Sequence, residues 1–542
     1  MLTPQPRNLQ TRGNDGVSIG SVVVDAPGTC ANAAAVLTSL PTTDRGEPVT
    51  VVVEISPGGP SEGYRLTVEG TTATITASDP AGAFYGAQTL RSLVQADGDG
   101  VLPPVTVEDH PELRWRGTIE GFYGPPWSHA DRLSHLEFAG RHKLNTYVYA
   151  PKDDPYHRKQ WREPYPPAEL DRIGELAAAA RRSHVRFVFA VSPGLSMVYS
   201  DPAELELLVA KLEQVRSVGV DDVALLFDDI PPDLSHEADV AAFGDAPGSA
   251  ARAHAAVCRS VIERLGRPLI MVPTDYAGTE PTPHRDLLAA ELPPEVLVWW
   301  TGRDIVVGDI TRAEIDAAAA SYGHELLLWD NFPVNDFDFP RLFLGPLVGR
   351  PASLDGARFA GITANPMPHE AASRIAVATV ADWAWNPGGY DALAAHHRAL
   401  DAVGATEAVR TLARACASWP PSAPQDPALS ALCDAALGGS LAAAEALRDR
   451  FAAMVAAAPD GEREPADRIE REVMPWLVAL ADTGRAGLAA LVALAPSAGE
   501  VERAAAADAL AVAESHEEQN VLRTVVPPFV RAVLRWPRRW ND

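Results

Sequence analysis

DVALLFDDIPP, residues 222–232, runs five apolar or small side chains, Val223 to Phe227, straight into two neighbouring carboxylates and two prolines. Seven more short apolar runs share this build: RGTIEGF (116–122), NTYVYAPK (145–152), VRFVFAVSP (185–193), PLIMVPTDY (268–276), EVLVWWTG (295–302), ELLLWDN (325–331) and FAGITAN (359–365). Between most of them lie amphipathic stretches such as ADRLSHLEFAGRHKL (130–144), AELDRIGELAAAARRS (168–183) and PAELELLVAKLEQVRSVG (202–219), long enough to cross back over a parallel sheet. Strands that read as almost continuous hydrophobics are what a sheet covered on both faces requires. Eight such units predict an α/β fold with a (β/α)8 barrel over residues 113–387, its chemistry at the C-terminal strand ends. The seventh unit is the weak one, because DFDFPRLFLGPLVGR (336–350) reads as a structured loop rather than a helix.

Working outward, residues 1–112 carry β-rich segments, TVVVEI (50–55) and RLTVEGTTATITA (65–77), the second turning at Glu69-Gly70 like a hairpin. A helix over 80–96 follows, with Phe84, Leu90 and Leu93/Val94 near helical spacing, so a small α+β domain is predicted. Residues 388–542 turn Ala-rich and helical, broken by WPPSAPQDP (419–427), and predict a helical bundle domain with no chemistry of its own.

Composition excludes several function classes. The net charge of −26 repels a polyanionic backbone, so nucleic acid is not an expected partner. No uninterrupted apolar run approaches the ~20 residues of a membrane-spanning helix, and no membrane partner is expected. The polar start MLTPQPRNLQTRGNDG lacks a signal-peptide core, so a cytoplasmic location is expected by default unless the chain was trimmed. Four scattered cysteines, Cys30, Cys258, Cys416 and Cys433, without C-x-x-C spacing, point to buried thiols rather than a disulfide framework or zinc site. There is no H-E-x-x-H and no His/Asp grouping at strand ends, so no metal and no cofactor is expected.

Asp228 and Asp229 hold the chemistry. A carboxylate at the end of a buried run carries a desolvation cost unless it reaches solvent or a partner. A capping or loop-amide role competes with a catalytic one on the residues alone. Side chains alternate along a strand, so both acids address one ligand only if the chain leaves strand geometry here, and Pro231 and Pro232 favour that departure. Two close carboxylates do not readily ionise together, so one is expected to be raised towards neutrality and to serve as a general acid. Neighbours in sequence are poorly placed to flank a glycosidic bond from opposite faces. They suit a substrate-assisted route, in which a 2-acetamido oxygen is the nucleophile.

The segments EGFYGPPW (120–127), LNTYVYAPKDDPYHRKQWRE (144–163), SPGL (192–195), LLFDDI (225–230), PTDYAGT (273–279), WTG (300–302), LLWDNFPVNDFD (327–338), RLFLGP (341–346) and ITANP (362–366) resemble glycoside hydrolase family 84 along the whole barrel. That family holds protein O-GlcNAcases and bacterial β-N-acetylglucosaminidases, some of them historically labelled hyaluronidases. The first domain is also similar to the small α/β domain that precedes the barrel in this family. The resemblance implies retaining hydrolysis of terminal β-linked N-acetylglucosamine from a glycoprotein or glycan through an oxazoline. Asp228 would orient and polarise the acetamido group, and Asp229 would act as general acid, then base. Tyr276 would bond the acetamido oxygen, while Gly121, Lys152, Asp336 and Asn365 would hold sugar hydroxyls. Asn331 would support the acetamido group and the aspartate pair, and Trp329 would wall the pocket for the N-acetyl methyl. Asp275 stands where members often carry Glu. Each position has a bland counterpart: Lys152 could pair with Asp153 and Asp154 as a solvated cluster, and Trp299, Trp300 and Trp329 could be core. The competing functional readings are a non-catalytic N-acetylglucosamine-binding barrel and a metal-dependent hydrolase.

Overall fold

The computed structural model describes residues 2–13, 15–96, 100–458 and 465–535. The chain divides into two compact units, one formed by Met1–Phe332, Gly349–Pro366 and Val377–Arg398, the other by Pro333–Val348, Met367–Ala376 and Ala399–Asp542.

The first unit opens with a seven-stranded sheet: β1 (Asn8–Thr11), β2 (Val17–Asp25), β3 (Glu47–Ile55), β4 (Tyr64–Glu69), β5 (Thr72–Ala77), β6 (Val101–Leu102) and β7 (Val105–Asp109), in the order β1-β7-β4-β5-β3-β2-β6. Alternation decides its faces. Val49, Val51 and Val53 of β3, Leu66 and Val68 of β4 and Ala73 and Ile75 of β5 are buried under α1 (Ala31–Thr38) and α2 (Pro80–Ala96), with Phe84, Leu90 and Val94 of α2 in the same core. The β4–β5 hairpin closes at Gly70, whose φ of 58° is the left-handed conformation a tight turn needs.

The barrel follows: β8 (Trp115–Glu120), β9 (Thr146–Tyr149), β10 (Arg186–Val191), β11 (Asp222–Leu226), β12 (Ile270–Val272), β13 (Leu297–Trp300), β14 (Leu326–Asp330) and β15 (Phe359–Ala364), all parallel, with β15 pairing back to β8. Crossovers are made by α3 (His129–Arg141), α4 (Pro167–Arg182), α5 (Pro202–Ser217), α6 (Glu237–Phe243) with α7 (Ser249–Leu265), α8 (Pro283–Glu291) and α9 (Arg312–Tyr322). No helix lies between Asp330 and Phe359, as the loop-like 336–350 segment predicts, and α10 (Glu370–Trp385) follows the last strand. The lumen is filled by Ile119, Val148, Val188, Leu226, Ile270, Trp299, Leu327 and Trp329. It is therefore a packed core and not a pore.

Two buried ion pairs stiffen the C-terminal rim. Glu120, at the end of β8, receives Arg132 Nε and Nη2 at 2.8 and 2.7 Å and the Tyr147 hydroxyl. Asp330, at the end of β14, receives Arg350 Nε and Nη2, both at 2.8 Å, and both side chains are 1% exposed. Breaking such a pair leaves a buried charge without compensation. Arg350→Ala is therefore expected to lower unfolding stability by about 3–5 kcal/mol in urea titrations. A loss below about 1 kcal/mol would mean that the pair contributes no more than a surface one.

The second unit is helical. After α11 (Ala392–Ala402), which begins in the first unit, it contains α12 (Glu407–Ala415), α13 (Pro427–Leu437), α14 (Leu441–Ala456), α15 (Arg468–Ala493), α16 (Glu500–Glu514) and α17 (Val526–Arg535) around Leu447, Phe451, Val473, Leu477, Leu480 and Phe529. By length and composition α15 could cross a membrane, but 61% of its most apolar window is buried inside the protein, as in a core helix.

Candidate active site

The barrel brings most of the singled-out residues to one end. Gly121 follows β8, Lys152 lies three residues past β9, Asp228 and Asp229 two and three past β11, Tyr276 four past β12, Asn331 directly after β14 and Asn365 directly after β15. Strand β11 ends at Leu226, and the Phe227 amide still donates to Val272 O at 3.0 Å, so the ladder persists up to the acids. Asp229 then takes φ = 52°, a left-handed conformation that a short polar side chain tolerates. This is the departure from strand geometry that breaks the alternation between the neighbouring acids.

Asp228 is 6% exposed, and its Oδ2 receives Lys152 Nζ at 2.7 Å. Its Oδ1 is buried and has no hydrogen-bond partner. Asp229 is more open and is held by two phenols: Tyr123 Oη donates to Oδ2 at 2.7 Å and Tyr276 Oη to Oδ1 at 3.0 Å. The Lys152 ammonium lies 5.5 Å from the Tyr123 ring centroid and 5.6 Å from that of Trp329, so one cation joins the two acids and the aromatic wall. The Tyr276 hydroxyl is pushed well up, chiefly by burial and next by the Asp229 charge, and so acts as a donor.

The electrostatics correct one expectation. Burial pushes the Asp229 carboxyl upward, but the Tyr123 hydrogen bond, the Lys152 charge, the Tyr276 hydrogen bond and the Arg158 charge outweigh it. The carboxyl therefore lies below the usual carboxylate range rather than raised towards neutrality. Repulsion between twin aspartates is the smaller effect because Lys152 sits on Asp228. The same ion pair settles the alternative for Lys152. Asp154 instead accepts the hydroxyls of Tyr149 and Tyr165 at 2.8 and 2.7 Å.

Trp329 lines the lumen and donates Nε1 to Asn331 Oδ1 at 3.1 Å. Gly121 has no room for a side chain, since an added Cβ would stand 2.5 Å from the Trp329 ring. Its amide faces Asn365 Oδ1 at 3.3 Å, and Asn365 Nδ2 donates to Asn331 Oδ1 at 2.9 Å. Asn331 Nδ2 donates to Ile305 O at 2.8 Å. These bonds tie Asn331 to the indole, Asn365 and the loop after β13, and not to the aspartate pair as the resemblance implied. Asp336 is half-buried on the 333–348 segment, which belongs to the second unit. Trp299 and Trp300 are fully buried, donating to Thr363 Oγ1 and Gly278 O at 3.0 and 2.8 Å. Asp275 bonds Arg285 Nη2 at 3.0 Å and Thr282 Oγ1 at 2.5 Å, and so braces the segment that carries Tyr276.

Two residues that sequence reasoning did not single out stand in this cluster: Tyr123, and Arg158, whose Nη1 lies 3.2 Å from the Tyr123 hydroxyl. The only signal for them was their place beside Gly121 and in the loop of Lys152. That loop is rigid. The His157 Nδ1–H bonds Ala190 O at 2.7 Å, and burial pushes the ring down to about 4, so it is neutral. Among the described residues no group of three or more His, Cys, Asp or Glu side chains is arranged to hold a metal ion.

The chain is similar to known proteins over almost its whole length. The sequence profile of the β-N-acetylglucosaminidase family matches residues 116–416, and that of glycosyl hydrolase family 20, domain 2, matches residues 1–110. Protein O-GlcNAcase of Rattus norvegicus is 36% identical over 275 residues, 49% of this chain and 29% of that protein, so the chain spans under a third of that relative's length. Among solved structures, CpGH84B superposes with a TM-score of 0.85 at 26% identity, covering 98% of this chain and 100% of its own. A mutant of Thermobaculum terrenum O-GlcNAc hydrolase does so at 0.70 and 30% identity, covering 78% and 95%. With more than half its length under one family profile and a full-length structural counterpart, the chain belongs to the β-N-acetylglucosaminidases of glycoside hydrolase family 84.

Proposed function

We propose that the protein hydrolyses terminal β-linked N-acetylglucosamine from glycoproteins or glycans with retention of configuration, the substrate's own acetamido oxygen being the nucleophile. The observation that carries this reading is Asp228: a buried carboxylate with one oxygen on Lys152 and the other lacking a donor. A buried acceptor without a partner is costly, and an acetamido N–H fills that position. In the first step the acetamido oxygen bonds to C1, the C1–O bond to the leaving group breaks, and Asp229 passes its proton to the departing oxygen. In the second, water gives a proton to Asp229 and attacks C1, and the oxazoline reopens to the acetamide. Tyr276 turns from Asp229 to the acetamido oxygen in this scheme. That removes one of the hydrogen bonds that lower the acid, while the sugar deepens its burial, and both changes favour the protonated form. Lys152 has further donors for a sugar hydroxyl, Trp329 packs on the acetamido methyl, and Gly121 and Asn365, directly after β8 and β15, hold ring hydroxyls.

The names of the relatives, O-GlcNAcase and O-GlcNAc hydrolase, support the choice of sugar. An aryl N-acetyl-β-glucosaminide is expected to be hydrolysed, with the β-anomer of N-acetylglucosamine as first product by NMR. The matching aryl β-glucoside, which has a hydroxyl at C2, is expected to be inert. First release of the α-anomer, or comparable turnover of the glucoside, would contradict the reading.

A further inference from the structure

Asp229 has a hydrogen-bonding arm that the reaction scheme does not use. Its Oδ2 accepts from Tyr123 at 2.7 Å, and Arg158 Nη1 holds the Tyr123 hydroxyl at 3.2 Å, with the guanidinium carbon 6.0 Å from the phenol ring centroid. Tyr123 is on the loop after β8 and Arg158 on the loop after β9, so the arm spans two strand ends and holds the carboxylate oxygen that Tyr276 does not. Tyr123 is 43% exposed although it hydrogen-bonds Asp229, so the residue is accessible from solvent.

We propose that Tyr123, oriented by Arg158, is a positioning residue for Asp229: it competes with the leaving-group oxygen for Oδ2, and a bound glycoside displaces it. The inference rests on the reading of Asp229 as the proton donor. The groups facing Asp229 are Tyr123 from the β8 loop, Lys152 and Arg158 from the β9 loop, Tyr276 from the β12 loop, and Asp228 beside it. Phenol and cation alike favour the deprotonated carboxyl. When the leaving-group oxygen takes the place of the Tyr123 hydroxyl, Oδ2 loses a donor and acquires an acceptor. A proton drawn from solvent then rests on Oδ2, between carboxylate and glycosidic oxygen. The acid is thereby armed only when a substrate is present.

The test is the pH profile of kcat/KM for an N-acetyl-β-glucosaminide with a poorly acidic leaving group. The profile's basic limb reports loss of the proton from Asp229 in the free enzyme. Tyr123→Phe is expected to move that limb to higher pH, because the carboxyl loses a donor that stabilises its anion. Arg158→Gln is expected to move it the same way by less, and Arg158→Lys to restore it in part. A uniform rate loss with the limb in place in both Tyr123→Phe and Arg158→Gln overturns the inference and leaves Tyr123 as a substrate contact. Asp229→Asn separates this from the parent reading. If that variant loses equal rate with good and poor leaving groups, the assignment of the acid itself has failed. If it shows the leaving-group dependence while the limb stays still, only the arm has failed.

Discussion

Asp228→Asn is expected to cut kcat/KM for an N-acetyl-β-glucosaminide by roughly 10²–10³-fold, the usual cost of losing one preorganised electrostatic contact to a developing charge. As the oxazoline forms, the acetamido nitrogen becomes cationic, and a carboxylate beside its N–H stabilises that charge in the transition state more than in the ground state. Asparagine keeps the shape but turns a dipole to the site and takes away the counterion of the buried Lys152. Some loss of stability should accompany the loss of rate. Circular dichroism and urea titration of the same sample separate the two, because a folded variant at 25 °C must show the rate loss undiluted. A folded Asp228→Asn enzyme within a few-fold of the parent would remove the acetamido group from the mechanism.

Asp229→Asn is expected to show a dependence on the leaving group. General acid catalysis contributes about 10²–10⁴-fold, so kcat/KM for an alkyl or unsubstituted phenyl glycoside should fall by that order. For a strongly acidic phenol, which departs without a proton, the fall in kcat/KM should stay under about tenfold. The second half-reaction loses its base whichever aglycone has left, so kcat for the acidic phenol falls further than kcat/KM and the intermediate accumulates. Equal losses in kcat/KM across the series would assign the acid elsewhere on the rim.

The barrel was legible because a parallel sheet buried on both faces writes each strand as a continuous apolar run: the segments at 222–232, 295–302 and 359–365 contain the strands Asp222–Leu226, Leu297–Trp300 and Phe359–Ala364. The missing seventh helix was legible too, through the Phe, Pro and Gly content of 336–350. In the first domain the hairpin at Gly70 and α2 stood out. Strand β2 and helix α1 did not: the first is half-exposed, and the second is eight residues long with no cap signal. Asp228 and Asp229 stood out at the end of an apolar run and Tyr276 through the resemblance, but their partners did not. That Lys152 answers Asp228 rather than its neighbours Asp153 and Asp154, or that Asn331 braces Asn365 and Trp329, depends on which loops meet above the barrel. No local pattern encodes such meetings. For the same reason the low proton affinity of Asp229 was missed. It comes from Tyr123, Lys152, Tyr276 and Arg158, on the loops after β8, β9 and β12, and twin-carboxylate reasoning sees only the acids.

The nucleophile can be probed through the substrate. In a series of aryl glycosides whose acetamido methyl carries none, one, two or three fluorines, each fluorine weakens the carbonyl oxygen while changing the volume little. Attack by that oxygen predicts a steep, monotonic fall in kcat/KM along the series. A flat series, together with an ester between Asp228 or Asp229 and the sugar trapped by mass spectrometry, would contradict it.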